Sequence, residues 1–446
     1  MSTPNIQTEN LQLRSQKRFY LQIKYKFAIA NLIALAWLFL SLYISYPWVI
    51  ALSRLIGGYP AWHIVIFIAL IPGYLNMFLL LSLLLDKPAK LNLNRRFPSI
   101  TLLMAAYNEE KCIAETLRSI RQQDYPSNLE VIIVDDGSSD KTTDIILNSG
   151  MPNVRLIKAQ HGGKAAALNL GIEEITNDYV ITIDADTFLH PQAVRRIMSR
   201  ILGAPGDTAA VAGCVLTKNS RNSFITRLQE WDYFLAISSI KRQQALFQGT
   251  LVAQGAFSVY RTKVVREVNG WPDCIGEDIV VTWAMIKAGY RVGFESTAIG
   301  FTEVPVSISG FAKQRRRWAR GMIEGFKNHY QLLFKNIAPV NFLVALDLLF
   351  PILDVTYTFA YIPGIILAFF GFFWIVGPMT LAVLPLTLLT NYIMYRYQRG
   401  IFSILKLRIR RNRLGFICYT LVYQILMSPV CVWGYAEEIL GRTKKW

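Results

Sequence analysis

Two long uncharged segments near the start of the chain constrain its fold more than any other feature. Residues 27–52 and residues 62–85 contain no Asp, Glu, Lys or Arg. Each segment exceeds the roughly 20 apolar residues that a helix needs to cross a bilayer. The first segment is too long for an ordinary signal peptide. Both are therefore predicted to be transmembrane helices.

Further apolar sequence follows a long polar middle. Residues 342–395 are long enough for two more spans, and residues 415–435 form another uncharged segment. We therefore expect about five spans, two before the polar middle and three after it. The predicted divisions are a basic N-terminal segment, two transmembrane helices, a large domain, interfacial amphipathic helices, about three transmembrane helices and a basic tail: 1–26, 27–85, 86–306, 307–341, 342–435 and 436–446.

Basic residues beside the short loops predict the orientation, because Lys and Arg are enriched in cytoplasmic loops. They cluster before the first span, after the second and after the fourth: Arg14, Lys17, Arg18, Lys24, Lys26, Lys87, Lys90, Arg95, Arg96, Arg396, Arg399, Lys406, Arg408, Arg410, Arg411 and Arg413. We expect a multi-pass protein of the cell inner (plasma) membrane with a cytoplasmic middle domain. The same count places Arg442, Lys444 and Lys445 outside, against the rule. A re-entrant hairpin between Phe342 and Tyr395 would remove this conflict.

The formal charge of +17 does not indicate a nucleic-acid partner here. In a soluble protein such a charge would suggest nucleic acid. In this chain the basic residues lie beside predicted spans, so attraction to an anionic lipid bilayer explains them more simply. We therefore expect the bilayer, and no nucleic acid, among the partners.

The middle of the chain alternates strand and helix patterns. Apolar strands are predicted over 99–106, 131–134, 154–157 and 179–184, and the first three are each followed by a polar turn and a helix. Repeated strand–helix units predict an α/β fold with a mostly parallel, doubly wound sheet. The turns that follow parallel strands meet at one edge of the sheet, where ligands bind in such folds.

Asp184 and Asp186 end the last of these strands. Alternate side chains of an extended segment share a side, so both carboxylates can point the same way. Mg²⁺ and Mn²⁺ prefer oxygen ligands, and Mg²⁺ is often held by one or two carboxylates together with substrate phosphate. The pair predicts a metal–nucleotide site, although an Asp-x-Asp pair that merely caps a helix is the plainer alternative.

The turn formed by Gly162, Gly163 and Lys164 opens a helix on the same edge. Its backbone amides and the helix N-terminus are suited to an anion, and the lysine to a phosphate charge. Neither the Walker A spacing nor the Rossmann glycine pattern is present. The turn therefore indicates a nucleotide other than ATP or NAD.

Residues 252–260 are predicted to form a strand interrupted by Gly255, where a ligand can approach the backbone closely. Glu277 and Asp278 precede a helix predicted to end near Lys287. Acidic residues at such a position are also favoured simply as helix caps, so the pair alone leaves both a catalytic and a capping role open.

Gln314, Arg317 and Trp318 lie on a helix predicted to start at Phe311. Their spacing of i, i+3 and i+4 places them on one face. A basic amphipathic helix on the membrane surface explains the pattern without a ligand. A tryptophan beside a glutamine and an arginine also suits a sugar, since it offers an apolar platform with oriented donors.

Taken together, these motifs resemble those of the membrane-embedded, processive family-2 glycosyltransferases, which include synthases of cellulose, chitin, hyaluronan and poly-N-acetylglucosamine. The resemblance covers about residues 99–329 and the flanking spans. Four motifs occur in the family's order: Asp135-Asp136, Asp184-Ala185-Asp186, Glu277-Asp278 and Gln314-x-x-Arg317-Trp318. The resemblance implies a cytosolic GT-A catalytic domain, inserted between transmembrane helices.

The resemblance also implies roles for individual residues. Donor contacts would come from Tyr107, Glu109, Asp136, Lys164 and Asp184. Asp186, beside Asp184, would hold Mg²⁺ or Mn²⁺, and Asp278, beside Glu277, would be the general base. The acceptor sugar would be held by Gln314, Arg317 and Trp318, and we place Gly255 with this acceptor group. An inverting single displacement with one base fits these residues.

The sequences around Glu277-Asp278 and Arg317-Trp318 look most like those of bacterial poly-β-1,6-N-acetylglucosamine synthases. Gly276 looks more like the residue found in chitooligosaccharide and hyaluronan synthases. We expect UDP-GlcNAc as the favoured UDP-sugar and a growing polysaccharide guided across the membrane. A hyaluronan, chitin or β-glucan synthase, a polyprenyl-phosphate glycosyltransferase and a catalytically idle transporter or scaffold are the alternatives. Regulation is expected to come through a partner, such as a small accessory membrane subunit.

Overall fold

The computed structural model describes residues 21–334, 339–377, 380 and 384–442 of the chain. An eight-stranded sheet with the order β3-β2-β1-β4-β7-β6-β8-β5 forms the centre of the domain. The strands are β1 (Ile100–Ala106), β2 (Leu129–Asp135), β3 (Val154–Lys158), β4 (Tyr179–Ile183), β5 (Thr187–Leu189), β6 (Thr208–Thr217), β7 (Phe257–Arg261) and β8 (Arg291–Thr302).

The helices follow in chain order. They are α1 (Ile23–Ile56), α2 (Gly58–Leu85), α3 (Ile113–Arg121), α4 (Thr142–Leu147), α5 (Lys164–Glu173), α6 (Ala193–Leu202), α7 (Phe224–Trp231), α8 (Ser238–Leu246), α9 (Thr262–Glu267), α10 (Glu277–Lys287), α11 (Ile308–His329), α12 (Pro339–Phe369), α13 (Leu384–Ile404) and α14 (Arg413–Ile439). Single π-helical turns interrupt α2 and α12, and another joins α7 to α8.

The first half of the sheet confirms the predicted α/β fold. Strand β1 pairs in parallel with β2 and β4, and β2 pairs in parallel with β3. Their carboxyl ends therefore lie along one edge, as the strand–helix alternation indicates. The second half is mixed, because β7 runs antiparallel to both β4 and β6 and β5 runs antiparallel to β8.

One predicted strand is wrong in its extent. Strand β7 begins at Phe257, so the expected strand over 252–260 loses its first half. The backbone of that half leaves the sheet and bonds elsewhere: the Ala253 amide donates to Thr282 Oγ1 at 2.9 Å, and Ser258 Oγ donates to the Gln254 carbonyl at 2.7 Å. Gly255 consequently lies in a loop at the sheet edge.

Two apolar layers cover the sheet. The layer on one face contains residues of α3 and α6, including Ile113, Leu117 and Ile197. The layer on the other face contains residues of α5 and α10 and is continuous with membrane-helix residues such as Ala34 and Phe78. The domain therefore packs directly against the first two long helices, with no linker layer between them.

In the described part of the chain, four helices are long and apolar enough to cross a membrane: α1, α2, α12 and α14. They flank the domain on both sides, as the apolar segments predict. Helix α13 covers the remaining predicted span, but it carries Arg396 and Arg399 and adjoins residues outside the described part. The number of crossings and the orientation stay predictions. The basic residues Arg14, Lys17, Arg18, Lys444 and Lys445 lie outside the described residues.

Helix α11 joins the domain to the membrane helices, and two glycines set its position. An added Cβ at Gly276 would lie 2.6 Å from the Gly321 Cα atom, and one at Gly321 would lie 2.8 Å from the Gly276 Cα atom. The Gly276 amide also donates to Glu324 Oε2 at 2.8 Å. This backbone contact seats α11 against the N-terminus of α10, so Gly276 has a packing role.

Candidate active site

The two carboxylates that end β4 lie in a tight turn at the sheet edge. The Thr187 amide donates to the Asp184 carbonyl at 3.0 Å, which closes the turn around Ala185 and Asp186. Asp186 is half-buried, and Thr302 Oγ1 lies 3.4 Å from its Oδ1 atom. Burial and the neighbouring Asp184 charge raise the pKa of Asp186 to about 6. Two neighbouring carboxyl groups such as Asp184 and Asp186 do not both ionise readily unless a cation is present.

Glu109, from the turn after β1, extends this negative cluster. Burial raises its pKa to about 7, with further contributions from Asp186 and Asp184. No trio of His, Cys, Asp and Glu among the described residues is arranged to hold a metal ion unaided. The donor set at Asp184 and Asp186 still fits a hard divalent cation that takes its other oxygen ligands from water and a diphosphate.

Lys164, the first residue of α5, bridges two parts of the site. Its Nζ atom lies 2.6 Å from Asp184 Oδ1 and 3.3 Å from Glu277 Oε1. Burial alone would lower the pKa of this ammonium, but the two carboxylates raise it well above its ordinary value. Lys164 therefore stays charged and links the end of β4 to the start of α10.

The Gly162-Gly163 turn corrects one expectation. Its amides donate to the buried Asp136 carboxylate, Gly162 at 2.8 Å and Gly163 at 2.9 Å. They therefore already have an anionic partner within the protein. The physical reason is strand pairing: β2 and β3 are neighbours, so the loops that follow them meet. Asp136 orders the turn that precedes Lys164.

A stacked pair of rings lies beside this turn, and the sequence indicated only half of it. The Tyr107 ring stacks on the His161 ring with centroids 4.3 Å apart and an interplanar angle of 23°. His161 Nδ1 lies 2.9 Å from Asp136 Oδ2. Tyr107 was a predicted donor contact, whereas His161, the residue before the glycine turn, was not predicted to take part. The pair presents a flat surface suited to a planar base.

Asp278 lies at the start of α10, half-buried and close to Lys164. Its Oδ1 atom accepts the amide of the next residue, Ile279, at 2.9 Å. Its neighbour Glu277 is buried, and that burial raises the pKa of Glu277 against the opposing effect of Lys164. The cap position of α10 is Gly276, and no side chain makes a cap bond there. Asp278 therefore offers a carboxylate that does not cap the helix.

Gly255 is positioned against this group. A Cβ atom there would lie 2.7 Å from Lys164 Nζ and 3.7 Å from Glu277 Oε1. A side chain would displace the ammonium from its bridge. The structure thus places Gly255 next to Lys164 and the α10 carboxylates.

The predicted acceptor residues lie on α11, and the buried residue next to them on that helix is Arg315. Trp318 is partly exposed, and its ring centroid lies 6.1 Å from that of Tyr233. The buried Arg315 guanidinium lies 4.1 Å from the Trp318 ring and 2.8 Å from Asp232 Oδ2. Burial raises the pKa of Tyr233 to about 12. The Asp186 charge adds to this rise, and the Arg315 and Arg317 charges oppose it. Sequence reasoning missed Arg315 and Tyr233.

A cavity of about 580 Å³ begins at Trp318 and Arg315 and extends between the long apolar helices α2, α12 and α14. Several polar side chains line it among apolar ones: Asn76, Asp347, Asp354 and Gln424. Asp354 is held between helices, since it accepts bonds from Ser428 Oγ at 2.7 Å and from Tyr435 Oη at 2.8 Å. Polar groups on helices this apolar are typical of a substrate or ion pathway rather than of a lipid-facing surface.

The domain is similar to known proteins in sequence and in fold. Residues 101–268 match the family described as glycosyl transferase family 2. That match includes Asp136, Lys164, Asp184 and Asp186 and ends before Asp278. The fold resembles that of a mannosyltransferase from Pyrobaculum calidifontis, solved with GDP-Man and Mn²⁺, with a TM-score of 0.54, 17% identity and coverage of 95% of this chain and 100% of that one.

Two sequence relatives extend the similarity. The chain is 34% identical over 240 residues to poly-beta-1,6-N-acetyl-D-glucosamine synthase of Staphylococcus aureus (strain COL), covering 53% of this chain and 57% of that protein. It is 33% identical over 231 residues to the protein of the same name from Staphylococcus epidermidis, covering 51% and 55%. The chain thus spans a little over half the length of these relatives.

Proposed function

We propose that this chain, which carries a family 2 glycosyl transferase domain, is a processive inverting β-glycosyltransferase that polymerises N-acetylglucosamine from UDP-GlcNAc and guides the polymer across the membrane. One observation carries the proposal: the Lys164 ammonium links Asp184 at 2.6 Å to Glu277 at 3.3 Å, beside Asp278. Lys164 thereby joins the proposed donor site to the helix that carries the candidate base. The staphylococcal relatives favour this polymer.

On the donor side, the stacked Tyr107 and His161 rings are suited to the uracil ring, and Glu109 and Asp136 lie beside them. Asp186 and Asp184 would hold Mg²⁺ or Mn²⁺, which neutralises charge on the leaving diphosphate when bound. Lys164 adds a fixed positive charge next to that diphosphate. The departing UDP is thus stabilised from the protein side as its bond to the sugar breaks.

On the acceptor side, Asp278 would take the proton of the acceptor hydroxyl. The hydroxyl oxygen forms its bond to the anomeric carbon as the bond to UDP breaks, and UDP leaves with the electron pair. One displacement inverts the centre, so an α-linked donor yields a β-linkage. Trp318 would stack on the acceptor sugar, with Gln314 and Arg317 close by on α11.

The cavity that starts at Trp318 supports the proposed guidance of the polymer. It begins at the acceptor residues and continues between membrane helices with polar side chains exposed to it. A sugar chain needs such groups, because its hydroxyls lose water when they leave the cytosol. We therefore propose that the growing end stays at Trp318 while the older part of the polymer occupies this cavity.

Synthesis by purified protein tests the proposal. Protein in lipid nanodiscs is incubated with radiolabelled UDP-GlcNAc and Mg²⁺ or Mn²⁺, with Asp278→Asn as the matched inactive control. We expect a long labelled polymer that an enzyme selective for β-1,6-poly-N-acetylglucosamine degrades. Digestion by hyaluronan-, chitin- or β-glucan-selective enzymes, with the matching donor, would reassign the polymer. Transfer of one sugar to lipid would contradict a polymerase.

A non-enzymatic role is the remaining alternative. An idle transporter or scaffold would require no base and no metal site. UDP release that survives Asp278→Asn unchanged would favour that alternative, because no acceptor proton would then need removal. A fall in UDP release of about 10²-fold or more in the variant supports the enzyme.

A further inference from the structure

Helix α14 is the source of the conflict in the predicted topology. By length and composition it qualifies as a span. A crossing at α14 would place Arg442 on the side opposite the basic loop 405–412, against the usual distribution of Lys and Arg. A crossing also requires the two helix ends to be separated by about 30 Å of hydrocarbon. The contacts made by each end of α14 indicate on which side of the membrane that end lies.

The first end of α14 is bonded to the catalytic domain. Asn412, the residue before the helix, accepts a bond on its carbonyl from Trp231 Nε1 at 3.0 Å. Its side-chain amide donates to the Arg227 carbonyl at 2.9 Å and to Glu230 Oε2 at 2.6 Å. All three partners belong to α7, which packs against the sheet. The helix therefore begins at the domain surface.

The second end of α14 is also bonded on the domain side. Glu438 pairs with Arg320 Nη2 at 3.1 Å and with Lys327 Nζ at 3.1 Å, both on α11. Arg320 Nη2 also donates to the Arg442 carbonyl at 2.9 Å. Arg320 directly precedes Gly321, whose backbone touches Gly276 at the start of α10. The helix therefore ends within one helix layer of the candidate active site.

Between its ends, α14 runs alongside α11. The Phe311 and Tyr423 rings lie 5.7 Å apart near the start of the shared stretch. Farther along, a Cβ atom at Gly434 would lie 2.6 Å from the Arg316 carbonyl oxygen. The two helices thus run in the same direction. Helix α11 itself lies along the domain, so a helix beside it over this length does not leave the domain side.

We propose that α14 lies in the plane of the membrane, on the side of the catalytic domain, and that its exposed apolar face contacts the acyl chains of that leaflet. Leu414, Ile417 and Ile439 are all more than half exposed and lie on one helix face. No charged residue lies between Arg413 and Glu437. The basic loop before α14 supplies cations for the headgroups.

Helix α13 makes this assignment consistent for the whole chain. Near its end, Gln398 Nε2 donates to the Phe234 carbonyl at 2.8 Å and to Ser238 Oγ at 2.5 Å, so α13 returns the chain to the domain. Crossings at α1, α2, α12 and α13 then leave α14 and Arg442 on the domain side. The distribution of Lys and Arg agrees with this arrangement without a re-entrant hairpin.

Cysteine labelling in intact cells tests the proposal. The five native cysteines are replaced, and single cysteines are introduced by Leu440→Cys at the end of α14, Tyr59→Cys at the start of α2, and Leu147→Cys in the domain. All three side chains are exposed. A membrane-impermeant maleimide should label the Tyr59→Cys variant in intact cells, and the Leu440→Cys and Leu147→Cys variants only after detergent.

Labelling of the Leu440→Cys variant in intact cells, to the same extent as the Tyr59→Cys variant, would show that α14 crosses and overturn the proposal. Reporter fusions to the natural chain keep the test valid if the cysteine-free protein fails to fold. A C-terminal green fluorescent protein should fluoresce and a C-terminal alkaline phosphatase should be inactive. The reverse pair of results would overturn the assignment. These readouts do not depend on enzymatic activity, so they are separate from the proposed synthesis.

Discussion

Lys164 and the carboxylates around it define the site at the scale of single residues. Asp184 belongs to the donor end of a strand and Glu277 to the helix that carries Asp278, yet one ammonium contacts both. In the proposed reaction, the two aspartates of the strand end hold the metal and diphosphate, while Asp278 takes the proton. This division of labour makes the variants distinguishable.

Asp186→Ala and Asp278→Asn should fail in different ways. We expect Asp186→Ala to abolish turnover and to weaken UDP binding, since it removes a candidate metal ligand. Asp278→Asn should lower turnover by about 10²- to 10⁴-fold, the range of a general base, and leave UDP binding intact. Isothermal titration with UDP and Mn²⁺ measures both. Equal loss of UDP affinity in the two variants would contradict the assignment.

Binding of Mn²⁺ with UDP should depend on pH. Asp186, with a pKa of about 6, and Glu109, with a pKa of about 7, must lose protons to face a cation. Affinity should therefore fall as pH is lowered from 8 to 5, because protonated carboxyls no longer attract the metal. Titration calorimetry across this range gives the slope. Glu109→Gln should flatten it, and an unchanged slope in that variant would remove Glu109 from the site.

Arg315 should matter more than its neighbour Arg316. The first is buried against Trp318 and Asp232, whereas the second is half-exposed and lies 3.5 Å from Glu437. Arg315→Lys keeps the charge but loses the planar contact with the indole. We expect about tenfold lower polymer yield at unchanged donor hydrolysis, equivalent to ~1.4 kcal/mol. Arg316→Lys is the control, and equal yields in both variants would assign Arg315 no role in positioning Trp318.

At this scale the sequence predicted the polar residues that end strands, because period and turn chemistry are local. It did not predict Tyr233 or Arg315. The spacing of Gln314, Arg317 and Trp318 indicates one face of α11, but which residue beside that face is buried depends on α14 and the α7–α8 turn. Those contacts are tertiary and leave no local pattern. Asp136 shows the same limit, since its partners became visible only when β2 and β3 were paired.

Helices α10 and α11 are the elements on which the geometry of the acceptor side depends. Their backbones meet at Gly276 and Gly321, and Gly325 continues the contact, where a Cβ atom would lie 2.9 Å from Ile279 Cγ2. Glycine at these positions permits an approach that any side chain would prevent. The contact fixes the distance between Asp278 on one helix and Trp318 on the other.

Gly321→Ala should therefore separate the two helices. Overpacking of this kind costs about 1–3 kcal/mol, more than the gain of up to about 1 kcal/mol in helix propensity. We expect a lower unfolding temperature in detergent and a polymerase rate reduced more than donor binding. The control is Gly400→Ala, a helical glycine with open space around its Cβ position. A Gly321→Ala protein as active and stable as the control would show that the contact is not tight.

Among the elements, the first four strands and the helices α10 and α11 were predictable from pattern. The second half of the sheet was not. Strands β6 and β8 pair in parallel while β7 pairs antiparallel to β4 and β6. Strand order is decided by which apolar faces meet in three dimensions, and a strand's own sequence does not specify its neighbour. The loop over 252–256 was read as strand for the same reason, since its partners lie on α10.

At the scale of the whole molecule, α11 couples the domain to the membrane part through α14. Buried Glu438 receives Arg320 and Lys327, whereas Glu437 lies 3.5 Å from Arg316 and 4.0 Å from Arg320. These contacts connect the last long helix to the helix that carries the proposed acceptor residues. A disturbance at the end of α14 is therefore expected to reach the acceptor side.

Glu438→Gln should destabilise the protein, because it leaves the buried Arg320 without its full counter-charge. Removing one partner of a buried pair typically costs about 3–5 kcal/mol. We expect an unfolding temperature in detergent several degrees lower than that of the wild type. Glu437→Gln serves as the control and should change it little, since its ion pairs are longer. Equal shifts of the unfolding temperature in the two variants would indicate that Glu438 contributes no more than Glu437 to the contact between α14 and α11.

The bridge made by Lys164 has a further consequence for the catalytic cycle. In the proposed reaction, the departure of UDP and its metal would leave the half-buried carboxylates at the strand end repelling one another. A resident ammonium 2.6 Å from Asp184 provides an internal counter-ion for that moment. The enzyme thus has no electrostatic need to retain spent nucleotide between sugar additions. If the proposed repeated addition of one sugar to a tethered chain holds, this counter-ion leaves each vacated donor pocket prepared for the next UDP-sugar.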